Sequence, residues 1–169
     1  MRGREHEILA QARRALGGLE FFHKMLAGEL PMPPLAALLG FRILEVGHGR
    51  VVLGGDPQAA FYNGHGSVHG GYAASLLDTA LGFAVNSTMP AGRAYATLEL
   101  KITLIRALRE TTGPIRCIAA AVHLGNRVAT AEGRIVDAGD KIYAQGAATS
   151  MVVETSVVEP THPTGEPER

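Results

Sequence analysis

The chain has 169 residues, 46% of them hydrophobic, and its sixteen Lys and Arg are balanced by sixteen Asp and Glu. That is enough for one domain with a sizeable core, and a neutral balance without basic runs argues against nucleic acid or an anionic membrane as the main partner. Cys117 is the only cysteine, which rules out an intrachain disulfide and a thiolate metal cluster.

The opening MRGREHEILAQARRALGG mixes both charge signs and lacks the apolar core of a signal peptide. No run approaches the roughly 20 apolar residues of a membrane span, so the expected location is a reducing cytoplasm. Within this opening, Ile8, Leu9, Ala12, Ala15, Leu16 and Leu19 recur at helical spacing, with charges on the other face. The helix is expected to weaken at Gly17-Gly18, resume through FFHKMLAG and stop at ELPMPPLAALLG, where proline removes a donor. Leu35 to Leu39 then suits one short helical turn. FRILEVGHGRVVLGG reads as two strands about a turn at Gly47-His48-Gly49.

The stretch NGHGSVHGGYAASLLD, Asn63 to Asp78, carries the densest chemistry. Its glycines read as a tight turn that opens a helix at Gly70-Gly71, where unpaired N–H groups and the positive dipole end suit an oxyanion or a phosphate. On a helical wheel Ala73, Leu76, Leu77, Ala80 and Ala84 form an arc for packing on a sheet. Gly71, Ser75, Asp78 and Gly82 line up as a small-residue strip with one carboxylate, flanked by Tyr72, Leu81, Phe83 and Val85. A helix this apolar is buried or lies in an interface. An acid among such neighbours is a site candidate rather than a solvated charge.

Four further strands follow. In TLELKITLI the alternation sends Leu98, Leu100, Ile102 and Leu104 one way and Thr97, Glu99, Lys101 and Thr103 the other. GPIRCIAAAVHLG, RVATAEGRIVDAG and KIYAQGAATSMVVE read as three more, joined at LGN and DAGD turns. The proline-rich SVVEPTHPTGEPER reads as a disordered tail. The layout is α+β, an antiparallel sheet wrapped on one long helix.

Three rival chemistries lack their frames. His65 and His69 have glycines between them and no H-E-x-x-H context, so no metal is expected. There is no G-x-x-x-x-G-K-[ST] for a nucleotide phosphate, and no G-x-S-x-G for a serine nucleophile.

The pattern N-x-x-G-x-x-HGG-x-x-x-x-L-x-D, followed by ATLELKITLIR and GNRVATAEGRIVDAGDKIYAQGAATSMV, resembles the hotdog-fold acyl-CoA thioesterases of the phenylacetate-pathway type. The resemblance covers about residues 35 to 153. It implies a hotdog domain over 35–154, an N-terminal helical extension over 1–34 and a tail over 155–169. It implies that Asp78 is the catalytic carboxylate, as general base or nucleophile, and that the Gly70 N–H polarises the thioester carbonyl. Asn63 is matched to the amide that holds water or substrate near the carboxylate, His69 to a histidine supporting the loop, and Thr97 to a position binding the attacking water. The substrate would be an acyl-CoA with a small, medium or aryl acyl group, and no cofactor is implied beyond the coenzyme A it carries. Arg127, in the GNR turn, is the cation chosen for its phosphates; Phe61, Tyr62, Tyr72, Phe83 or the N-terminal helix would line the acyl pocket. The resemblance further implies a homo-oligomer, a dimer or dimer of dimers, with sites shared between subunits. The same scaffold also hosts acyl-CoA-binding modules without turnover and dehydratases, for which His69 would be the proton carrier.

Overall fold

A computed structural model describes residues 2–155, with side chains from Glu5 onward. The expected tail therefore lies, apart from Thr155, outside the described residues. Three helices come first: α1 (Arg2–Ala15), α2 (Gly18–Leu26) and the single turn α3 (Pro34–Leu38). The antiparallel pair β1 (Arg42–Gly47) and β2 (Arg50–Gly55) leads to the long helix α4 (Gly70–Asn86). Then come β3 (Arg93–Leu104), β4 (Ile115–Leu124), β5 (Val128–Val136) and β6 (Ile142–Glu154). The six strands form one sheet in the order β1-β2-β4-β5-β6-β3, antiparallel at every step. This is the α+β hotdog architecture. After α4 the chain runs to the far edge of the sheet before returning to fill its middle.

Close packing of α4 explains the composition of the strands beneath it. Leu76, Leu77, Ala80 and Ala84 are fully buried on the sheet, as the wheel predicts, and Leu81, placed on the flank by the wheel, is buried with them. The facing positions of β5 and β6 are largely alanine and glycine: Ala129, Ala131, Ala144 and Ala148 are buried, and Gly133 and Gly146 lie between them. A Cβ at Gly133 would lie 3.3 Å from Leu81 Cδ2, and one at Gly146 would lie 3.4 Å from Leu77 Cδ1. The leucines of the helix occupy the volume that larger strand residues would need. Cys117 is buried in the same layer, and burial raises its thiol pKa.

In β3 the structure departs from the simple alternation. Thr97 pairs with Ser150 and Glu99 with Thr149, so Leu98 is an extra residue in a β-bulge. The bulge shifts the inward set by one position. Tyr95 and Thr97 face α4 before it, Leu100 and Ile102 pack on the core after it, and Leu98 is 60% exposed. Leu104, also expected to face inward, is 57% exposed at the strand end, where it touches the start of α4.

The helical hairpin α1–α2 is built into the same core. Gly17, with ψ at 152°, breaks the helix where expected. Phe21, Phe22 and Met25 are buried, and the Phe22 ring lies 4.4 Å from that of Phe83. Each such side chain contributes about 1.5–3 kcal/mol of burial. The Gly18 N–H donates to the Met89 carbonyl at 2.8 Å, setting the start of α2 against the end of α4.

A Cβ at Gly18 would sit 1.7 Å from the Asn86 carbonyl oxygen, a backbone atom that cannot swing aside. Helix propensity favours alanine over glycine by about 1 kcal/mol, but overpacking against backbone costs about 1–3 kcal/mol or more. The clash wins: Gly18→Ala should lower the urea midpoint by the equivalent of about 1–2 kcal/mol net.

Candidate functional site

The glycine-rich stretch folds as a small closed loop. Tyr62 bridges to Val68, the Asn63 N–H donates to the Ser67 carbonyl at 2.7 Å, and Gly66 takes a φ of 77° that favours glycine. The Asn63 side chain organises the turn. Its Oδ1 accepts from the His65 N–H at 2.8 Å, with a longer approach from the Ser67 N–H at 3.4 Å, and its Nδ2 donates to Ser67 Oγ at 3.2 Å. An amide nitrogen carries two hydrogens, so one remains uncommitted among the described residues.

His69 is the N-cap of α4, and its Nδ1 accepts the Gly71 N–H at 2.9 Å. An accepting Nδ1 leaves the ring proton to Nε2. The Gly70 N–H has no acceptor among the described residues, as suits the first turn of a helix. A cavity of about 230 Å³ opens beside it, lined in part by Asn63, His69, Gly70, Leu104, Arg106 and Tyr143. A larger furrow of about 560 Å³ runs over Lys101, Glu132 and Arg134 on the far face of the sheet, and the sheet separates it from these groups.

Asp78 is not part of that cavity. It is half-buried on the flank of α4, and the Thr97 hydroxyl donates to its Oδ1 at 3.0 Å. Thr97 can reach it only because of the bulge at Leu98. Eight residues separate Gly70 from Asp78, which at 1.5 Å per residue is about 12 Å along the axis. One chain therefore presents two half-sites: an N–H and amide pair at the head of α4, and a carboxylate–hydroxyl pair two turns down.

One turn beyond Asp78, Gly82 is buried under Tyr95: a Cβ there would lie 1.9 Å from the phenolic oxygen. The Tyr95 hydroxyl is pushed up to about 12, chiefly by burial; Arg13 nearby lowers it and Asp78 raises it. Simple alternation does not reveal Tyr95, because the bulge at Leu98 reverses the parity of the residues before it. Arg106 was missed because it sits where a strand runs out. It lines the cavity beside Gly70, and its Nη1 donates to the Ile142 carbonyl.

Arg127 is exposed in the β4–β5 turn. Its carbonyl accepts from Val152, the residue paired with Tyr95, so it lies at the Thr97 end of β3 and away from the Gly70 cavity. Of the aromatics assigned to an acyl pocket, Tyr72 and Phe83 are core residues. Tyr72 stacks on the half-buried Phe61 at 4.9 Å, and Phe83 packs on Phe22. Among the described residues no group of three or more His, Cys, Asp or Glu side chains is placed to hold a metal ion, and no helix is long and apolar enough to cross a membrane.

This arrangement, a glycine-headed central helix with an acid two turns in and wrapped by an antiparallel sheet, defines a hotdog domain of the thioesterase kind. The chain belongs to the thioesterase superfamily, whose family model matches residues 65–144. It is similar to a conserved protein of Pseudomonas aeruginosa, PA5202, with 32% identity, 72% of this chain and 95% of that chain covered, and a TM-score of 0.68. It is also similar to a phenylacetic acid degradation-related protein of Ralstonia eutropha provisionally named a thioesterase, with 31% identity, coverage of 77% and 98%, and a TM-score of 0.70. The PaaI protein from the phenylacetic acid degradation operon of E. coli is 27% identical, with coverage of 77% and 91% and a TM-score of 0.69. A Halobacterium salinarum protein provisionally named an esterase is 39% identical over 84 residues, 48% of this chain; the match spans about half, 54%, of that curated relative.

The contact between Gly82 and Tyr95 can be tested by a double-mutant cycle. Gly82→Ala should cost about 1–3 kcal/mol by overpacking. In a Tyr95→Ala background the same change should be neutral or favourable by up to about 1 kcal/mol, because only helix propensity remains. Urea denaturation of the four proteins gives the coupling.

Proposed function

We propose that this chain is an acyl-CoA thioesterase, hydrolysing a small, medium or aryl acyl-CoA to the free acid and coenzyme A. The observation that carries this reading is the Thr97–Asp78 hydrogen bond on the flank of α4, paired with the uncommitted Gly70 N–H at its head. In this reading Asp78 takes a proton from water as the water oxygen bonds to the thioester carbon. The carbonyl oxygen becomes an oxyanion facing the Gly70 N–H, and the tetrahedral species collapses with loss of the thiolate, which takes up a proton. Direct attack by the carboxylate, through an anhydride that water then opens, uses the same groups. Thr97 holds the carboxylate in its rotamer, and the free N–H of Asn63 orients the water or the carbonyl. The reaction needs no cofactor.

The separation of about 12 Å between the two half-sites along α4 means they cannot meet on one thioester within a single chain. A second copy completes the site. β3 is a twelve-residue edge strand, and its outer edge has no partner strand among the described residues. Such an edge invites pairing with another chain. Two copies of β3, antiparallel about a two-fold axis between Leu100 and Lys101, would bring Leu104 of one beside Thr97 of the other. Gly70, which packs on Leu104, would then approach the Asp78 of the second copy. Arg106, at the mouth of the Gly70 cavity, becomes the cation best disposed for coenzyme A phosphates, with Arg127 serving from the other side.

Occupation of His69 Nδ1 by the cap supports hydrolysis over a dehydratase reading, which would draw on that ring for proton transfer. A binding module without turnover predicts tight acyl-CoA binding and no thiol release.

Asp78→Asn should reduce coenzyme A release by at least about a hundredfold, with the oligomer intact by size-exclusion chromatography. Asn63→Asp keeps the turn acceptor but removes the amide donor. Mixed and reassociated Asp78→Asn and Asn63→Asp subunits should regain up to about a quarter of wild-type activity, because half the dimers are mixed and each of these has one intact shared site. Full activity in Asp78→Asn, or no recovery on mixing proteins shown to exchange subunits, sinks the respective claim.

A further inference from the structure

The cavity beside Gly70 has two walls. One is the glycine-rich loop, which contributes Asn63, Ser67 and His69; the other is the start of the β3–β4 connection, from Leu104 to Leu108. The connection is held by partners of its own. The Ile105 and Arg106 N–H groups both donate to the Tyr143 carbonyl, at 2.8 and 3.0 Å, and Leu108 is buried. Beyond it, the short helical turn Glu110–Thr112 is closed by the Thr112 N–H on the Arg109 carbonyl at 2.9 Å and by the Arg109 N–H on Thr112 Oγ1 at 3.0 Å.

The loop has less to hold it. The side-chain hydrogen bonds of Asn63 all stay within the loop. Among the described residues two hydrogen bonds join it to the connection. One is backbone, from the Val68 N–H to the Leu108 carbonyl at 2.9 Å. The other uses a side chain: the Tyr62 hydroxyl accepts the Glu110 N–H at 2.9 Å. Tyr62 and Val68 are bridged to each other, so the turn that carries Asn63 hangs between these two ties. The Tyr62 ring is half-buried and packs on the core, which delivers its hydroxyl from a fixed stem.

We infer that Tyr62 is a positioning residue: by tying the Asn63 turn to the β3–β4 connection, its hydroxyl sets where the uncommitted Asn63 N–H points at the Gly70 cavity. The inference rests on the proposed hydrolase reading, in which that N–H orients the water or the thioester carbonyl. Misplacing such a group by about 1 Å can cost on the order of a hundredfold in rate. The Val68 tie remains when the Tyr62 hydroxyl is lost, so the expected loss is smaller. Because Tyr62 acts through Asn63, that loss falls on turnover rather than on substrate binding.

The test removes the bond from each side. Tyr62→Phe deletes the acceptor and should lower kcat for hexanoyl-CoA by about five- to twentyfold, with KM changed less than about twofold. Glu110→Pro deletes the donor; Glu110 opens its turn and follows a residue at φ −140° and ψ 162°, a setting that proline fits. It should reproduce the fall, and the double variant should be no slower than the slower single one. In an Asn63→Asp background, Tyr62→Phe should change kcat by less than about twofold, because no amide donor is left to position. Unchanged kcat in Tyr62→Phe, losses that multiply in the double variant, or an equal fall in the Asn63→Asp background overturns the inference. If the wild-type protein releases no coenzyme A, the hydrolase reading falls, and amide hydrogen exchange decides the tie by itself. Tyr62→Phe should then speed exchange at the Asn63 and His65 N–H groups by about two- to tenfold, with the buried amides of α4 unaffected. Unchanged protection at Asn63 and His65 overturns it.

Discussion

Everything in this domain depends on how closely α4 lies against the sheet. The buried leucines of the helix fit over alanines and glycines of β5 and β6, and a larger residue at Gly133 or Gly146 would press on Leu81 or Leu77. The fit fixes the axial position of α4 relative to β3, and with it which side chain of the edge strand meets which turn of the helix. Asp78 faces Thr97 and Gly82 faces Tyr95 because this register is set elsewhere, by residues with no chemistry of their own.

The β-bulge at Leu98 converts that register into a site. Without the extra residue, the strand would continue the parity of Leu100 and Ile102 and turn Leu98, not Thr97, toward the carboxylate. A leucine there would desolvate Asp78 and offer it no donor. The exposure of Leu98 accompanies the inward turn of Thr97, and both follow from one inserted position. The same bulge interrupts the β3–β6 ladder beside the strand's free edge, which is the edge available to a second chain.

The sequence made most of the architecture legible because its periodicities are strong. The apolar arc of α4, the Gly17 break, the six strands and the turns between them follow from spacing and turn chemistry. The head of the helix was equally readable, since glycines before an apolar helix have few other uses. The flank was less so. Period-two counting assumes an unbroken ladder, and nothing in TLELKITLI marks where the insertion falls; only pairing with β6 reveals it. Aromatic residues near the motif suggested a pocket, yet Tyr72 and Phe83 are needed to seal the core against Phe61 and Phe22, and size alone does not distinguish lining from filling. Arg106 was invisible for a third reason. Its importance lies in which cavity it reaches across the fold, and no local pattern encodes that.

The division between helix head and flank also separates constant from variable chemistry. Carbonyl polarisation needs only a backbone N–H at a helix start, and the carboxylate needs only a hydroxyl to hold it. Neither requirement reads the acyl group. Discrimination has to come from whatever covers the helix beyond Asp78, and in this chain that cover is made by β3 together with the α1–α2 hairpin. The hairpin precedes residues 65–144, the span matched by the family model. It is nevertheless anchored in the same core through Phe21 and Phe22, and joined to the end of α4 at Gly18. In the proposed hydrolase, a segment outside the matched span but locked to α4 can change what the site accepts without disturbing how it reacts. Gly82 is the position that lets β3 lie so close, because any side chain there would push Tyr95 away from the turn beyond Asp78.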